Sequence, residues 1–398
     1  MSLPKLLLSI LLGFSFIIPL QAQNRPTEVD SISPYLLMNR RLQFEITDAV
    51  NHLYNFNFQA AEREFTYMKY RYPDHPLPEF LLGLSQWWRI VPNIEEKRYD
   101  KAFFDYMDRT IDKAKDLLDE DPTNREASFF LAGAYGFKGR LNAERKNWTA
   151  ATFAGRNALK YLELSKGEED LSPELLLGDA LFNYFSVWIK ENYTLLRPVL
   201  ALFPDGDKAL GLKQLREVAN NAFYARIEAQ YFLMRILSLE NGPGHTAEAL
   251  RITESLHNNF PNNPYFHRYY ARTLYASGFT SAAAKESIEI LNKIDSSYVG
   301  YEATSGRYAA FFAGQYHERM GEISEAKQYY KRAVSFGEEI EAEESGYYLY
   351  SLLGLGKIAL KENNKREAKQ YFNTIKKYAK RKHPAHEEAR NFIKKNKL

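Results

Sequence analysis

Residues 308–334 read YAAFFAGQYHERMGEISEAKQYYKRAV, and this stretch decides the fold. Two runs with the apolar spacing of an α-helix flank a turn at Gly321. In the second run Ala326, Tyr330 and Ala333 lie at intervals of four and three residues, which places them on one helix face. A small leading residue leaves room for a second helix to cross closely, and the bulky residue one turn later fills the wedge. The stretch therefore predicts an antiparallel pair of helices.

The same stripe of a small residue followed by bulky ones recurs along the chain. Its most complete copies are Ala61, Phe65, Met68 and Tyr72; Gly211, Leu215, Val218 and Ala222; and Ala368, Phe372, Ile375 and Ala379. Partial copies begin at Ala249 and Ala283, so the spacing is irregular, at roughly 40 residues. Self-similarity at such a period predicts an array in which each unit packs only on its neighbours.

Proline marks the ends of two of these units in the same way. Residues 70–80 read YRYPDHPLPEF and residues 258–266 read NNFPNNPYF. In each case an aromatic residue and a proline follow a helical pattern, and a further proline precedes the next pattern. We expect Pro73 and Pro261 to end one helix and start the hinge to the next hairpin, where a missing amide donor is tolerated.

These residues resemble the tetratricopeptide repeat (TPR) family, whose pattern is W-x2-L-G-x2-Y, then A-x3-F, then P. Ala313 and Gly314 match the L-G pair, Gly321 the turn, Ala326 the alanine and Tyr330 the phenylalanine. A second match, in residues 352–375, has Leu355-Gly356, Ala368 and Phe372 at these positions. Pro73 and Pro261 match the closing proline. The resemblance implies an all-α fold, an α-solenoid of antiparallel helix hairpins wound into a right-handed superhelix.

The pattern divides the chain into five predicted parts. They are a signal peptide at 1–22, an N-terminal segment at 23–41, TPR-like hairpins with an irregular middle at 42–224, C-terminal TPR repeats at 225–380, and a basic capping helix at 381–398 that begins near Pro384. Within the irregular middle we expect hairpins at 77–119, 123–166 and 172–224, the last with Ser172 as the helix N-cap before Pro173. About eight hairpins are expected in all.

One insertion interrupts this pattern between two predicted helices. Residues 195–206 contain Pro198, an apolar run from Val199 to Phe203, and the first four residues of the turn FPDGD. The run can fold back onto the solenoid or form a hydrophobic lip that faces a partner, and the sequence leaves both readings open.

The first residues have the order of a secretory signal. Lys5 precedes an apolar run from Leu6 to Leu20, and a polar end follows that contains Ala22. The run is shorter than the roughly 20 residues that a membrane-spanning helix needs, so cleavage near Ala22 is expected, with an uncleaved anchor as the alternative. The chain has no cysteine, which excludes disulfides, thiolate ligands and a lipid-carrying cysteine. We expect a periplasmic or otherwise secreted protein of a Gram-negative cell envelope, with peripheral contact to an envelope membrane or complex as a further option.

No motif for catalysis or for a cofactor is present in the sequence. The chain has no P-loop, no dinucleotide glycine fingerprint, no G-x-S-x-G and no H-E-x-x-H. His383 and His386 flank Pro384 without a third ligand nearby, and the acidic run at 338–345 is typical of a helix end or solvated linker. The net charge of +3 is too small to indicate a nucleic-acid partner. We therefore predict a protein that is not an enzyme and has no cofactor, metal or nucleic acid.

The predicted function is that of a protein-protein interaction scaffold or assembly factor that binds a partner protein or peptide on its concave face. The first helix of each hairpin lines that face in the family. Helical register alone selects these candidate partner-binding residues: Asn51, Tyr54, Gln86, Trp88, Arg272, Tyr275, Gln315 and Arg319. Trp87 and Trp88 are adjacent, so one is expected in the core and the other exposed or in an interface. The alternative is an envelope ligand-binding module for glycans or peptides in an uptake system.

Overall fold

A computed structural model describes residues 35–165, 173–193, 197, 204–240 and 244–398. The predicted signal peptide, the Ser172 cap and the apolar run from Val199 to Phe203 lie outside the described residues. Within them all regular structure is helical, with a 3₁₀ turn at Leu36–Met38 and eighteen α-helices. In chain order the α-helices are α1 (Arg40–Glu45), α2 (Thr47–Tyr54), α3 (Phe58–Arg71), α4 (Pro76–Ile90), α5 (Asp100–Glu120), α6 (Arg125–Glu144), α7 (Trp148–Ser165), α8 (Leu176–Asn192), α9 (Lys208–Asn221), α10 (Arg226–Leu239), α11 (His245–Asn259), α12 (Pro264–Ala276), α13 (Thr280–Asp295), α14 (Ala303–Met320), α15 (Ile323–Glu339), α16 (Gly346–Lys361), α17 (Lys365–Tyr378) and α18 (Pro384–Asn396).

These helices form eight consecutive hairpins, from α2/α3 to α16/α17, followed by α18 as a cap. Helices pack mainly on their neighbours in the chain, which confirms the prediction of an all-α solenoid. The hairpins predicted in the irregular middle correspond to α4/α5, α6/α7 and α8/α9. The capping helix begins at Pro384 as expected. The handedness of the superhelix stays a prediction.

The TPR-like packing rests on glycines that make room for aromatic rings. A Cβ atom at Gly314 would lie 2.7 Å from the Tyr330 ring, and one at Gly354 would lie 2.6 Å from the same ring. The Tyr330 ring of α15 therefore lies between Gly314 of α14 and Gly354 of α16. Gly356 makes the same space for Phe372, at 2.5 Å. The L-G pair in the sequence thus sets the distance between helices, because any larger side chain would displace the ring.

Proline and short polar side chains begin the helices at the predicted hinges. Pro76 and Pro264 occupy the first turn of α4 and α12, where the amide donor is not needed. His75 caps α4 by accepting a hydrogen bond from the Leu77 amide, and Asn263 caps α12. Both hinges follow the predicted pattern.

The hairpins are arranged in two layers. The even-numbered helices contact each other from one hairpin to the next, as in α2 with α4, α4 with α6, α6 with α8, α12 with α14, and α14 with α16. They form the inner layer, and the odd-numbered helices from α3 to α17 form the outer layer. The first helix of each hairpin therefore faces inward, as the family resemblance implies.

The start of α12 returns to contact the end of α2 and the segment after α4, so the N-terminal hairpins form a closed turn. The Asn263 side-chain amide, at the start of α12, donates to the Tyr54 carbonyl at 2.8 Å, and the Asn262 amide donates to Asn55 Oδ1 at 2.9 Å. Arg268 of α12 donates to the Pro92 carbonyl, after α4, at 3.0 Å. One hydrophobic core accordingly extends from Leu36 to Phe266. We call α2–α12 the closed turn and α13–α18 the C-terminal arm.

Candidate functional site

A large apolar cavity lies on the inner side of the closed turn. Its volume is about 800 Å³, and it is bounded by the inner helices α2, α4, α6, α8 and α10 together with α7. A cavity of this size and lining is the usual form of a small-molecule site. The aromatic residues that line it are Tyr54, Phe80, Phe129, Phe130, Phe137, Trp148, Phe182, Tyr184, Phe185, Trp188, Tyr193, Tyr224 and Phe232.

Three glycines of α6 create part of this space. Gly133, Gly136 and Gly139 recur every three residues and all line the cavity. Close packing explains Gly133, because an added Cβ atom would approach the Phe80 ring at 3.3 Å, whereas one at Gly139 would make an ordinary contact with α7 at 3.5 Å. No atom lies within 4 Å of a Cβ at Gly136. Glycine in a helix interior lowers stability by about 1 kcal/mol relative to alanine. No close contact requires glycine at position 136, so its effect there is to leave space in the cavity.

A buried carboxyl group stands in the wall of the cavity. Glu228 Oε1 accepts hydrogen bonds from Trp88 Nε1 at 2.7 Å and from the Tyr54 hydroxyl at 3.3 Å. Burial raises the pKa of Glu228 to about 7, against the opposing effects of the Trp88 hydrogen bond, the Arg140 charge and the Tyr54 hydrogen bond. The Glu228 carboxyl is therefore partly protonated near neutral pH.

Two arginines line the cavity beside this carboxyl group. Arg140 and Arg235 both donate to the Tyr231 hydroxyl, the latter at 2.9 Å. Burial alone would raise the pKa of Tyr231, but the charges of Arg140 and Arg235 hold it below its usual value. Arg140 Nη1 is buried without a hydrogen-bond partner among the described residues, and no described carboxylate forms an ion pair with either arginine. The charged side chains of the cavity wall are therefore Arg140 and Arg235 together with Glu144 and Glu228.

A second group of arginines and tyrosines continues along the inner layer. Tyr265, Arg268, Tyr269 and Arg272 lie on one face of α12, at positions i, i+3, i+4 and i+7. Arg307 and Tyr308 extend the group onto α14, and Tyr347 onto α16. We call these seven residues the Arg–Tyr strip. It begins next to the cavity, because the Tyr265 ring lies 5.4 Å from the Tyr231 ring.

Each arginine of the Arg–Tyr strip lies over a tyrosine ring. The guanidinium carbons are 4.9 Å from the Tyr265 ring for Arg268, 5.6 Å from the Tyr269 ring for Arg272 and 5.0 Å from the Tyr308 ring for Arg307. Within the described chain none of the three forms an ion pair with a carboxylate. The strip is therefore positively charged and partly desolvated.

The positive charge of the Arg–Tyr strip lowers the pKa of Tyr308. Burial by itself would raise it, but Arg268, Arg307 and Arg272 together hold the pKa of Tyr308 below its usual value. Arg268 is buried and satisfied by the Pro92 carbonyl and by Ser305 Oγ at 3.3 Å. Arg272 and Arg307 are only half-buried, so they are the members that an anionic ligand can reach.

The structure corrects the sequence prediction for two of the eight candidate residues. Trp88 is 0% exposed and Tyr54 is 1% exposed, so neither ring is an exposed anchor for a partner. Trp87 is also 0% exposed, so neither tryptophan faces solvent and the exposed alternative for the pair is wrong. The reason is the closure of the N-terminal hairpins, which covers α4 with α10 and α12 on the side that an open array leaves free. The Trp88 ring lies 5.1 Å from Phe266 and 5.5 Å from Tyr231.

The other six candidates lie on inner helices but do not form one site. Asn51 is exposed on α2, and Gln86 donates to Glu62 Oε1 at 3.0 Å. Tyr275 is stacked on Phe312, with ring centroids 4.4 Å apart. Gln315 donates to the Tyr330 hydroxyl at 2.7 Å, Arg319 is exposed, and Arg272 belongs to the Arg–Tyr strip. Their role in partner binding stays a prediction.

Sequence reasoning found Tyr54 but missed the charged residues of the cavity wall. Arg140 and Glu228 meet Tyr54, Trp88 and Tyr231 only because distant hairpins come into contact, and no local spacing indicates this. The glycines of α6 are a signal that was available, since three of them at intervals of three residues are unusual in a helix. In the described part of the chain, no helix combines the length and the apolar character that crossing a membrane requires.

No protein-family model matches the sequence, and no curated protein matches it. Among solved structures the chain is similar to the human IFIT1 dimer with PPP-AAAA. The two chains are 15% identical with a TM-score of 0.39, and the match covers 81% of this chain and 68% of the other. Similarity at this level says nothing about what this chain binds.

Proposed function

We propose that this chain is a non-catalytic scaffold that binds an acidic segment of another protein along its Arg–Tyr strip. The observation that carries this proposal is the set of strip arginines without a carboxylate partner in the described chain. Guanidinium groups bind carboxylates through two parallel hydrogen bonds, and a ring beneath each guanidinium holds it in place. Arg272 and Arg307, half-buried on adjacent inner helices, would bind successive acidic side chains of an extended or helical segment.

Two features favour an acidic protein segment over a nucleic acid. The ring faces of the strip are already used, since Tyr265 is stacked on Tyr269 at 4.8 Å and Tyr308 packs on Tyr347 at 4.3 Å. Single-stranded nucleic acids are held by stacking of bases on free aromatic faces. The net charge of +3 is also small for a protein that must neutralise many phosphates.

The proposed place of action is the Gram-negative cell envelope. This rests on the signal-like order of residues 1–22, so the mature chain would begin near Gln23. N-terminal sequencing of the protein from the periplasmic fraction tests the location, and an intact Met1 in the cytoplasmic fraction would contradict it. Crosslinking in the intact envelope then identifies the partner.

The binding proposal is tested with a double variant, Arg272→Gln with Arg307→Gln. The probe is a fluorescent 20-residue peptide rich in glutamate, and fluorescence anisotropy measures its Kd. A control variant, Arg366→Gln with Arg381→Gln, removes the same charge from exposed positions after α16. We expect the strip variant to weaken binding by at least about 10-fold, because each charge-assisted hydrogen bond contributes roughly 1.5–3 kcal/mol.

Three outcomes would contradict the proposal. The first is equal binding of the peptide to the strip variant and to the control. The second is binding of a neutral peptide as tightly as the acidic one. The third is preference for a single-stranded RNA of equal charge, which would assign the strip to nucleic acid instead.

The cavity favours a second function, binding of an anionic amphiphile with a single hydrocarbon chain. The aromatic and aliphatic lining would hold the chain, and the unpartnered Nη1 of Arg140 would donate to the acidic head group. This refines the ligand-binding alternative, because an oligosaccharide needs many more polar partners than this lining offers. Palmitate is the simplest ligand of this class.

Filling the cavity tests this second function. Gly136→Leu adds a side chain where a Cβ meets no atom, and Gly136→Ala is the matched control that adds a single methyl group. Displacement of a fluorescent fatty acid by palmitate is the measurement. We expect Gly136→Leu to lose binding by at least about 10-fold and Gly136→Ala to retain it, since a filled cavity excludes the chain. Equal displacement by palmitate and hexadecanol would argue against the role of Arg140.

A further inference from the structure

Three potential metal ligands that line neither the cavity nor the Arg–Tyr strip meet where α11, α12 and α13 pack together. They are His257 near the end of α11, His267 in the first turn of α12 and Glu286 in the middle of α13. Glu286 Oε2 lies 3.4 Å from His257 Nε2 and 3.1 Å from His267 Nε2. The three donor atoms all lie within 4.8 Å of one another.

This geometry matches the ligand spacing of a tetrahedral metal ion. Zinc binds imidazole nitrogen and carboxylate oxygen at about 2.0–2.2 Å, which separates neighbouring ligand atoms by roughly 3.3–3.5 Å. The two distances from Glu286 Oε2 are close to this value, and all three atom pairs lie within 4.8 Å. The stacked rings of His257 and His267 would have to turn toward each other for both nitrogens to face one ion.

The surroundings of His267 also suit a ligand. Its Nδ1 lies 3.0 Å from the Tyr301 hydroxyl, which in turn lies 3.3 Å from the Pro261 carbonyl. When Nε2 binds a metal, Nδ1 carries the proton and donates to Tyr301, which then donates to Pro261. Such a chain of hydrogen bonds fixes the ring and tautomer of metal-binding histidines. Lys293 also donates to the Pro261 carbonyl at 2.7 Å and to the Tyr301 hydroxyl at 3.5 Å.

The same residues are poorly matched to a purely structural hydrogen-bond network. One carboxylate oxygen faces both imidazoles, so both histidines must carry a proton on Nε2. His257 Nδ1 is then left buried without a partner in the described chain. The two rings are stacked with centroids 4.2 Å apart, so protonating both would place two cations face to face. His267 is fully buried, His257 is buried, and Glu286 is half-buried.

We propose that His257, His267 and Glu286 bind one divalent transition-metal ion, with Zn²⁺ the best match, at a site that joins α11, α12 and α13. Two imidazoles and a carboxylate are a ligand set that zinc uses, and water completes the tetrahedron on the half-buried side of Glu286. The site links the last helices of the closed turn to the first helix of the C-terminal arm. A bound ion would therefore fix the arm relative to the closed turn.

Titration of the metal-stripped full chain tests the site. Zn²⁺ binding is measured by calorimetry, and Co²⁺ is used as a spectroscopic probe because a tetrahedral site gives an intense visible absorption band. We expect one ion per chain, a tetrahedral Co²⁺ spectrum and a higher melting temperature with Zn²⁺. Absence of stoichiometric binding at 10 µM Zn²⁺, or an octahedral Co²⁺ spectrum, would overturn the proposal.

Variants then assign the ligands. Glu286→Gln and His257→Asn keep polar side chains of similar shape and should weaken Zn²⁺ binding by at least about 100-fold. His386→Asn changes a histidine of the C-terminal cap and is the control, which should retain wild-type affinity and the Co²⁺ spectrum. Circular dichroism verifies that each variant is folded. A folded Glu286→Gln variant with wild-type affinity would show that the ion binds elsewhere and would also overturn the assignment.

Discussion

Ala326 shows how little space separates the helices at the scale of single residues. It is 0% exposed on α15 and stands one turn before Tyr330, whose ring fills the gap between two glycine faces. We predict that Ala326→Leu lowers the free energy of unfolding by about 1–3 kcal/mol, because the larger side chain overpacks the hairpin. Urea denaturation measures the change. Ala282→Leu, at an exposed position of α13, is the control, and equal stability of the two variants would contradict the packing register.

The raised pKa of Glu228 leads to a second prediction, which concerns how the stability of the fold depends on pH. Its pKa is about 7 in the folded chain, against the ordinary 4.5, so the folded state binds more protons than the unfolded state between these values. Stability from this group is therefore fully present below about pH 4.5 and is lost as the pH rises through 7. The loss amounts to roughly 3 kcal/mol, at 1.36 kcal/mol for each pKa unit.

The measurement compares the wild type with Glu228→Gln by urea denaturation at several pH values. Glutamine keeps an oxygen that can accept from Trp88 but does not titrate. The difference in stability between the two proteins should change in favour of the variant as the pH rises from 4.5 to above 7. A difference that stays constant over this range would show that the carboxyl group is not perturbed.

At the scale of helices, the inner layer from α4 to α10 has a buried glutamate near the start of each helix. These residues are Glu79, Glu126, Glu174 and Glu228. Glu126 accepts from the backbone amides of Leu36 and Leu37 at 3.1 and 2.6 Å and so holds the N-terminal 3₁₀ turn against α6. A carboxylate near a helix start also interacts favourably with the helix dipole. Because a buried glutamate recurs near the start of each of these helices, we infer that it attaches a neighbouring segment to the inner helix in each case.

Glu174 gives the prediction at this scale. Its carboxylate accepts from the amides of Phe223, Tyr224 and Ala225 at 2.5, 3.0 and 2.7 Å, and so caps α10 in place of an N-cap side chain. Glu174→Ala would leave these amides without an acceptor, and we expect a loss of roughly 3 kcal/mol in the free energy of unfolding. Glu174→Gln retains one acceptor oxygen and should lose less. Urea denaturation measures the free energy of unfolding of both variants, and equal losses in Glu174→Ala and Glu174→Gln would contradict the capping role.

Helix number and type could be predicted from the sequence because they depend on local patterns. The stripe at Ala368 and Phe372, the glycines of the two L-G pairs and the proline hinges act within one hairpin or between successive hairpins, and all lie where they were expected. The candidate site depends on contacts between hairpins. The helical position of Trp88 predicts an exposed residue of the inner face. It is buried only because α10 and α12 pack against it. Patterns of one helix carry no information about which distant helix covers it.

At the scale of the whole molecule, the closed turn and the C-terminal arm should differ in cooperativity. An open repeat array unfolds unit by unit because each hairpin contacts only its neighbours. In the closed turn, Trp88 joins α4 to α10 and α12, so opening one hairpin removes contacts from several others. In the arm, Phe372 of α17 packs on Phe392 of α18 with ring centroids 5.3 Å apart, a contact between neighbours.

We predict different patterns of hydrogen exchange for two variants of similar chemistry. Trp88→Ala and Phe372→Ala each remove a fully buried ring and should cost about 3–5 kcal/mol locally. Trp88→Ala should speed amide exchange in α2, α4, α10 and α12 together. Phe372→Ala should affect only α16–α18. Mass spectrometry of exchanged peptides measures both, and exchange confined to α4 and its neighbours in Trp88→Ala would contradict the closure.

The contact between Asn263 and the Tyr54 carbonyl also bears on how such a chain can change in length during evolution. Duplicating a hairpin inside α2–α12 would move Asn263 about one repeat away from its acceptor, and deleting one would make the two segments collide. Duplication among α13–α17 disturbs neighbours alone. Homologues are therefore expected to keep a constant number of hairpins before residue 264 and to vary in number after it.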